Sequence, residues 1–314
     1  MANCHKLFLT FNSDLKITTT KKRNLIKSKD SLRDRIRKWF RENRPDYVPL
    51  FWIQGSYKMK VVIRTKDDTC DLDDGIYFAR KIDVSPSTMQ GWIYQAVSGH
   101  TGNASQRQKC VRVDFAGNYH IDYPIYQNED QDTAPWLCIK DGAWDDEQSD
   151  PKAYVDWFNE RKTDQLARII RYLKSWGDNV RHNMLSGLAM TLLAEDNYYQ
   201  DERDDEALLQ TLRNVQASLE DEWTAVMPTV PNDDVIKKHD KDFQKRFFDK
   251  LDALITDGES ALEQESELKA SKLWRKHLGA RFPLGKAPSG SRSDSLREVA
   301  DRGMFSPYFS IDLQ

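Results

Sequence analysis

Two short motifs within residues 54–78 constrain the fold and chemistry of this chain more than any other feature. The first reads Gln54-Gly55-Ser56-Tyr57-Lys58, and the second reads Cys70-Asp71-Leu72-Asp73-Asp74-Gly75-Ile76-Tyr77-Phe78. Side chains alternate between the two faces of a strand, so Asp71 and Asp73 point the same way while Leu72 points into the core. Two carboxylates on one face repel each other unless a cation lies between them, and Mg²⁺ prefers such oxygen ligands. The second motif therefore predicts a metal-binding strand.

The Gly-Ser pair of the first motif predicts a phosphate-binding turn. Glycine permits positive φ and close approach, which leaves backbone N–H groups and the Ser56 hydroxyl available to phosphate oxygens. A phosphate-binding turn followed by a metal-binding strand favours two-metal nucleotidyl transfer. Ordinary alternatives are a plain turn and a solvated acidic loop. A helix–loop–helix calcium site is disfavoured, because the twelfth residue from Asp71 is Ile82 rather than Glu and the flanks are strand-like.

A third carboxylate is expected from a β-hairpin further along the chain. Residues 111–126 form two β-rich runs on either side of Ala116-Gly117-Asn118, a composition typical of a hairpin turn. The second run presents Asp122 between Ile121 and Tyr123. Asp114 competes for the same role, but it lies nearer the hairpin tip, where an aspartate is often a solvated edge charge.

The remaining pattern predicts an α+β protein with two lobes. Apolar spacing predicts a long amphipathic helix over 25–43, a strand over 48–53 and a helix over 87–97. Residues 127–150 are acidic and irregular, and the chain beyond them turns helical. We therefore expect residues 1–148 to form a core domain that includes the long helix, and residues 149–314 to form a helical lobe with a C-terminal tail.

Composition limits the partners and the compartment. The chain has 314 residues, 39% hydrophobic and 31% charged, with no apolar run long enough to span a bilayer and no signal-peptide pattern at its N-terminus. A net charge of −3 gives no reason to expect an obligatory long nucleic acid partner. Cys4, Cys70, Cys110 and Cys138 are scattered, which fits a reducing compartment better than a zinc site or disulfide scaffold. A cytoplasmic location and no membrane partner are expected.

Several motifs together resemble the cGAS/DncV-like nucleotidyltransferases, or CD-NTases, of bacterial anti-phage signalling, and the DncV-like branch in particular. The matching pieces are the two opening motifs, His120-Ile121-Asp122-Tyr123-Pro124, the run from Arg168 to Trp176 with its Leu-Lys-x-Trp pattern, and the basic stretch 33–37 of the long helix. The resemblance covers about residues 5–255. It implies a polymerase-β-like core of mixed or antiparallel sheet and helices, a C-terminal helical lobe and a cleft between them.

The resemblance also implies a role for each matched residue. Asp71, Asp73 and Asp122 would be catalytic and would hold two Mg²⁺ ions, with Mn²⁺ as a substitute. The implied nucleotide-binding residues are Gln54, Gly55, Ser56, Lys58, Arg112, Lys174, Ser186 and Asp233. Ser56 would hold the outer phosphates of the donor, and Lys174 would add a point charge beside them. The alternatives for Lys174 and Asp233 are a solvated helix residue and a plain helix cap.

The implied activity joins nucleoside triphosphates, ATP or GTP among them, into a cyclic di- or trinucleotide with release of pyrophosphate. The product would act as a second messenger in antiviral defence (CBASS) and be read by a separate effector. An RNA- or tRNA-directed nucleotidyltransferase would use the same carboxylates but would need a basic groove. An inactive nucleotide-binding module is the non-enzymatic alternative, although decay usually removes a metal carboxylate and all three are present.

Overall fold

The computed structural model describes residues 1–99, 103–130 and 132–287. Its helices are α1 (His5–Leu15), α2 (Thr19–Asn43), α3 (Gly55–Lys58), α4 (Pro86–Val97), α5 (Pro151–Arg161), α6 (Asp164–Val180), α7 (Gly187–Asp196), α8 (Asp204–Asp221), α9 (Lys241–Glu263) and α10 (Glu267–Leu278). Its strands are β1 (Leu50–Gln54), β2 (Cys70–Phe78), β3 (Ala104–Gln106), β4 (Val111–Phe115), β5 (Tyr119–Tyr123), β6 (Ile125–Gln127) and β7 (Trp136–Leu137). The expected α+β class is confirmed.

The strands form one mixed sheet centred on β2. Strand β1 pairs with β2 in antiparallel fashion, while β5 and β6 both run parallel to β2 in one continuous register. Pro124 separates β5 from β6, because proline has no N–H to give to the ladder; its carbonyl still accepts from Ile76 N. Strand β4 pairs with β5 through a tight turn at Gly117, as the hairpin pattern predicted.

Two apolar cores lie on either side of the cleft described below. The sheet core packs the α2 residues Leu25, Leu32 and Ile36 against β2, β4 and β5. The helical core packs α6 to α10 together, with Trp176 and Trp274 among its largest fully buried side chains. None of the described helices is long and apolar enough to cross a membrane. All four cysteines are free.

Helix α1 belongs by packing to the helical core, although the sequence assigned residues 1–148 to one domain. Phe8 makes edge-on ring contacts with Tyr172 of α6 and Trp274 of α10 at centroid distances of 5.0 and 5.2 Å. The apolar face of α1 is aromatic and fits these rings, whereas α2 covers the sheet. Residues 288–314, which include most of the predicted C-terminal tail, lie outside the described residues.

A buried carboxylate fastens α1, α6 and α8 together. Asp204 is fully buried at the start of α8 and accepts from Arg168 Nε at 2.6 Å, Tyr172 Oη at 2.8 Å and Gln165 Nε2 at 2.9 Å. Its backbone N–H donates to His5 Nδ1 at 3.0 Å. These bonds outweigh the desolvation of the carboxylate, so the pKa of Asp204 lies below its usual value.

Asp204→Ala should destabilise the fold by about 3–5 kcal/mol, because it leaves the Arg168 guanidinium buried without its counter-charge. The measurement is urea-induced unfolding at neutral pH. The matched control is Glu259→Ala, which removes an exposed partner of Arg213 and should cost less than about 1 kcal/mol. Equal losses in the two variants would contradict the structural role of Asp204.

Candidate active site

Three carboxylates meet where β2 and β5 run side by side. Asp73 lies directly opposite Asp122 in the parallel register, and Asp71 precedes Asp73 by two residues and shares its face. Leu72 between them is fully buried in the sheet core. The register thus places residues 49 positions apart in the chain side by side.

These carboxylates lie in a cleft between the sheet and the helical core. The cleft has a volume of about 720 Å³ and is lined by Ser56 and the three aspartates on one side. Lys174, Leu188 and Met190 line it from the helical side. A cavity of this size is in the usual range for small-molecule sites.

Asp73 is a carboxyl group whose ionised form the protein disfavours. Burial, reinforced by the like charges of Asp71 and Asp122, raises the pKa of Asp73 to about 8. Within the described residues, the carboxylates of Asp71 and Asp73 accept no hydrogen bond and form no salt bridge. Uncompensated carboxylate oxygens on one face are the donor set that hard divalent cations prefer, so these two residues fit a metal ion.

Asp122 is paired with an arginine of the neighbouring strand β4. Arg112 of β4 lies opposite it in the register and donates Nε to Oδ1 at 2.8 Å and Nη2 to Oδ2 at 2.7 Å. In the part of the chain that the structure describes, no three acidic, histidine or cysteine side chains converge closely enough to hold a metal. The three-carboxylate metal site therefore stays a prediction, and its completion requires Asp122 to exchange Arg112 for the metal.

The Gly-Ser motif is the first turn of a short helix rather than an open turn. Gly55 has φ +62°, and a Cβ atom there would lie 2.2 Å from Asp73 Oδ2, so only glycine lets β2 and α3 approach this closely. Gln54 is buried; its Nε2 donates to Tyr126 Oη at 2.9 Å and its Oε1 accepts from Tyr77 at 3.2 Å. Gln54 thus supports the cleft floor, while Ser56 lines the cleft itself.

Lys174 supplies a cation to the cleft from the helical side. Burial lowers the pKa of Lys174 to about 8, and the nearby charges of Asp71 and Asp73 oppose that shift. Its Nζ lies 3.4 Å from the carbonyl oxygen of Val61, and its side chain packs beside Gly187. Lys174 therefore presents an ammonium group to the same space as the carboxylates.

Four of the predicted nucleotide-binding residues do not line the cleft: Arg112, which pairs with Asp122, and Lys58, Ser186 and Asp233. Lys58 extends over the Trp52 ring, with Nζ 4.7 Å from its centroid. Ser186 caps α7, its hydroxyl accepting from Ala189 N at 3.2 Å. Asp233 is exposed on a loop whose Met227 and Val230 reach the cleft in its place.

The sequence reasoning also missed residues that the fold brings into the cleft. Asp150, Tyr154, Lys109 and Cys110 line it. Asp150 could have been identified from the sequence, because it precedes Pro151 at a helix start. In the structure its Oδ1 accepts a hydrogen bond from Ala153 N at 2.9 Å. Lys109 and Cys110 precede β4, and nothing in their local pattern indicates that they meet the helical side.

Known proteins share this arrangement. A family profile described as the nucleotidyltransferase domain of DncV-like cyclic GMP-AMP synthases matches residues 49–126. That range contains both opening motifs and all three carboxylates. Over this range the chain is similar to the DncV-like nucleotidyltransferases.

Two relatives with assigned names are similar to this chain in sequence. A cyclic GMP-AMP synthase of Escherichia albertii is 26% identical over 190 residues, which covers 54% of this chain and 42% of that enzyme. The chain thus spans less than half of that relative in the aligned region. A cyclic AMP-AMP-AMP synthase of an Acinetobacter strain is 25% identical over 318 residues, covering 92% of this chain and 88% of the relative.

Solved structures confirm the fold expected from the sequence. The Vibrio cholerae DncV cyclic AMP-GMP synthase, described as a prokaryotic cGAS homologue, superposes with a TM-score of 0.75 at 19% identity, covering 90% of this chain and 97% of that one. Its complex with the linear intermediate pppA(3′,5′)pG gives 0.76 at 19% identity, with 91% and 99% covered. The polymerase-β-like core with a helical region is therefore the fold of this chain.

Gly55→Ala should destabilise the folded protein by about 1–2 kcal/mol or more, because it combines a left-handed backbone with a clash against Asp73. Urea-induced unfolding measures the change. The matched control is Gly91→Ala in α4, where a Cβ meets nothing within 4 Å; it should stabilise by about 0.5–1 kcal/mol. Similar effects of the two substitutions would contradict the close packing of Gly55 on Asp73.

Proposed function

We propose that this chain is a metal-dependent nucleotidyltransferase that joins nucleoside triphosphates into a cyclic oligonucleotide. The observation that carries the proposal is the parallel register that sets Asp73 beside Asp122 on the floor of a cleft shared with Ser56 and Lys174. The named relatives make a cyclic dinucleotide in one case and a cyclic trinucleotide in the other. Both kinds of product therefore lie within the proposal.

The cofactor proposed is Mg²⁺, with Asp71, Asp73 and Asp122 as its protein ligands. When bound, a pair of such ions neutralises the donor triphosphate and lowers the pKa of the attacking ribose hydroxyl. Release of Asp122 from Arg112 would free both carboxylate oxygens. The freed guanidinium then faces the cleft, where it can pair with phosphate.

The chain's own residues position the donor and stabilise the leaving group. Ser56 Oγ and the backbone N–H groups at the start of α3 would hold the outer phosphates. Lys174 would place its ammonium against the pyrophosphate as negative charge develops there. The α-phosphorus forms a bond to a 2′ or 3′ hydroxyl oxygen of a second nucleotide, its bond to the bridging oxygen breaks, and pyrophosphate leaves. A later transfer of the same kind closes the ring.

The biological setting proposed is antiviral signalling in the cytoplasm. ATP and GTP are the proposed substrates, since DncV has been crystallised with both. The product would act through a separate effector protein. Free thiols at buried positions, such as Cys70 and Cys138, support a reducing compartment.

Asp73→Asn should lower nucleotide incorporation by about 10³-fold or more, because it removes a metal ligand from the reacting centre. The same substitution should leave the unfolding midpoint in EDTA unchanged or higher. The fold raises the pKa of the Asp73 carboxyl group. A carboxyl group with a raised pKa destabilises the folded state at every pH above its pKa in the unfolded chain, which is about 4, and the substitution removes this effect.

The matched control is Asp114→Asn, on the same sheet face but nearer the hairpin tip, which should keep most of the activity. Pyrophosphate release with Mg²⁺ and nucleotides measures the rate, and thermal unfolding in EDTA measures the stability. Full activity in Asp73→Asn, or equal losses in both variants, would contradict the assigned roles.

Incubation with Mg²⁺ and all four ribonucleoside triphosphates should yield a cyclic di- or trinucleotide, identified by mass spectrometry, and EDTA should abolish it. Linear products or extension of added RNA would instead indicate a polymerising enzyme. Binding of nucleotides without pyrophosphate release, also in the presence of lysate from phage-infected cells, would indicate a binding module.

A further inference from the structure

A row of paired residues crosses the sheet and gives the floor of the cleft two distinct ends. Gln54 of β1 lies opposite Asp73 of β2, and Asp73 lies opposite Asp122 of β5. Asp122 in turn lies opposite Arg112 of β4. Neighbouring strands are about 4.8 Å apart, so the two ends of the row are about 14 Å apart. Ser56 follows Gln54 closely, and we call the two ends the Ser56 end and the Arg112 end.

The chemistry of phosphoryl transfer assigns a different nucleotide to each end. The attacking and leaving oxygens lie roughly in line on opposite sides of the phosphorus. The proposed function places the leaving pyrophosphate at the Ser56 end, beside Lys174, with Asp73 and Asp122 in the middle of the row. The acceptor nucleotide, which carries the attacking hydroxyl, therefore approaches from the Arg112 end. The inference that follows rests on that proposed function.

Lys109 is placed to meet the acceptor at the Arg112 end. Among the residues that the structure describes, Lys109 and Lys174 are the lysines that line the cleft, and no arginine lines it. Lys109 lies in a turn directly before β4, in which Arg107 N donates to the carbonyl oxygen of Cys110 at 2.8 Å. Its side chain is half-exposed. Each end of the cleft thus has a lysine of its own.

Glu147 holds the ammonium group of Lys109. Lys109 Nζ lies 2.7 Å from both carboxylate oxygens of Glu147. Glu147 is itself fixed, because its carbonyl oxygen accepts from Leu137 N at 2.8 Å. An exposed ion pair of this kind contributes little to stability. A triphosphate carries several negative charges against the single charge of Glu147, so Lys109 can exchange the carboxylate for phosphate.

We propose that Lys109 binds the 5′-triphosphate of the acceptor nucleotide, and that Glu147 competes for the same ammonium group. Ring closure gives this contact a chemical purpose. The acceptor of the first transfer becomes the donor of the closing transfer, so it must carry a 5′-triphosphate of its own. An acceptor without one yields a linear product that cannot close. Lys109 therefore selects the acceptors from which a ring can form.

Nucleotides that can play only one role isolate the first transfer. A 2′,3′-dideoxynucleoside triphosphate can only donate, because it has no ribose hydroxyl with which to attack. A ribonucleoside α,β-methylene triphosphate can only accept, because a methylene group replaces the oxygen that leaves. A ribonucleoside monophosphate can likewise only accept. Adenosine and guanosine forms of each acceptor are offered with excess dideoxy donor, and mass spectrometry quantifies the linear product.

The parent protein should use the methylene triphosphate about tenfold better than the monophosphate, as kcat/KM, the ratio expected for one charge-assisted hydrogen bond. Lys109→Gln should reduce this ratio to about one, because that bond is lost. Lys109→Arg should keep most of the ratio, because the positive charge remains. Glu147→Gln should raise the ratio about threefold through a lower KM, because it removes the competitor for Lys109.

Arg107→Gln is the matched control for Lys109→Gln. Arg107 lies in the same turn, is exposed and does not line the cleft, so its substitution should leave the ratio unchanged. The opposite signs expected for Lys109→Gln and Glu147→Gln separate ligand binding from a structural ion pair. Loss of either partner of a merely structural pair would change the ratio in the same direction.

An unchanged ratio in Lys109→Gln would overturn the proposal, as would shifts in the same direction for Lys109→Gln and Glu147→Gln. Preferential transfer to the 3′ end of an added RNA would also overturn it. If the parent transfers nothing from dideoxy or ordinary donors, the proposed function fails. Calorimetry then compares the binding of the methylene triphosphate with that of the monophosphate, and equal affinity ratios in the parent and Lys109→Gln would overturn this inference as well.

Discussion

The parallel pairing of β2 with β5 is the constraint on which the rest of the site depends. It brings Asp73 against Asp122 and leaves Asp71 on the same face. Burial and the like charges of Asp71 and Asp122 both disfavour the ionised form of Asp73, which raises its pKa to about 8. A fold that retains such a cluster without donors around Asp71 and Asp73 is organised to receive positive charge from outside the chain.

On the opposite side of β2, a buried carboxylate is neutralised by a paired arginine. Asp74 is fully buried and points away from the cleft, where Arg33 of α2 pairs with it, Nε to Oδ2 at 2.8 Å. Asp73 and Asp74 are adjacent in sequence, yet one has a dedicated arginine and the other has none. The contrast supports a functional rather than structural role for Asp73. Arg33, from the basic stretch 33–37 of α2, thus has a structural partner.

Local periodicity was sufficient to predict much of this site. Strand alternation placed Asp71 and Asp73 on one face, and the turn around Gly117 indicated the hairpin that carries Asp122. Local periodicity failed where the position of a residue around a helix decides the direction of its side chain. Residues 54–58 were interpreted as a phosphate-binding turn, but α3 is helical. Side chains two positions apart on a helix point in directions that differ by about 200°. Lys58 therefore points away from Ser56.

Contacts distant in sequence could not be predicted. To predict the pairing of Arg112 with Asp122, one must know the register of β4 on β5. To predict the packing of α1 against the aromatic rings of the helical core, one must know the tertiary fold. The surroundings of Arg171 likewise come from residues that are distant in sequence. No window of sequence shows that Arg171 is buried without a counter-charge. Ser186 and Asp233 were assigned from resemblance alone, and the structure gives Ser186 a capping bond in place of a cleft contact.

The most direct test of the central claim is the number of Mn²⁺ ions bound per chain, measured by electron paramagnetic resonance in the presence of a non-hydrolysable nucleoside triphosphate. If the carboxylates of β2 and β5 form a two-metal site, the parent protein should bind about two ions beyond those held by free nucleotide. Asp122→Asn should lose at least one of them while remaining folded. Binding of no additional Mn²⁺ by the folded parent, or undiminished binding by that variant, would contradict the account.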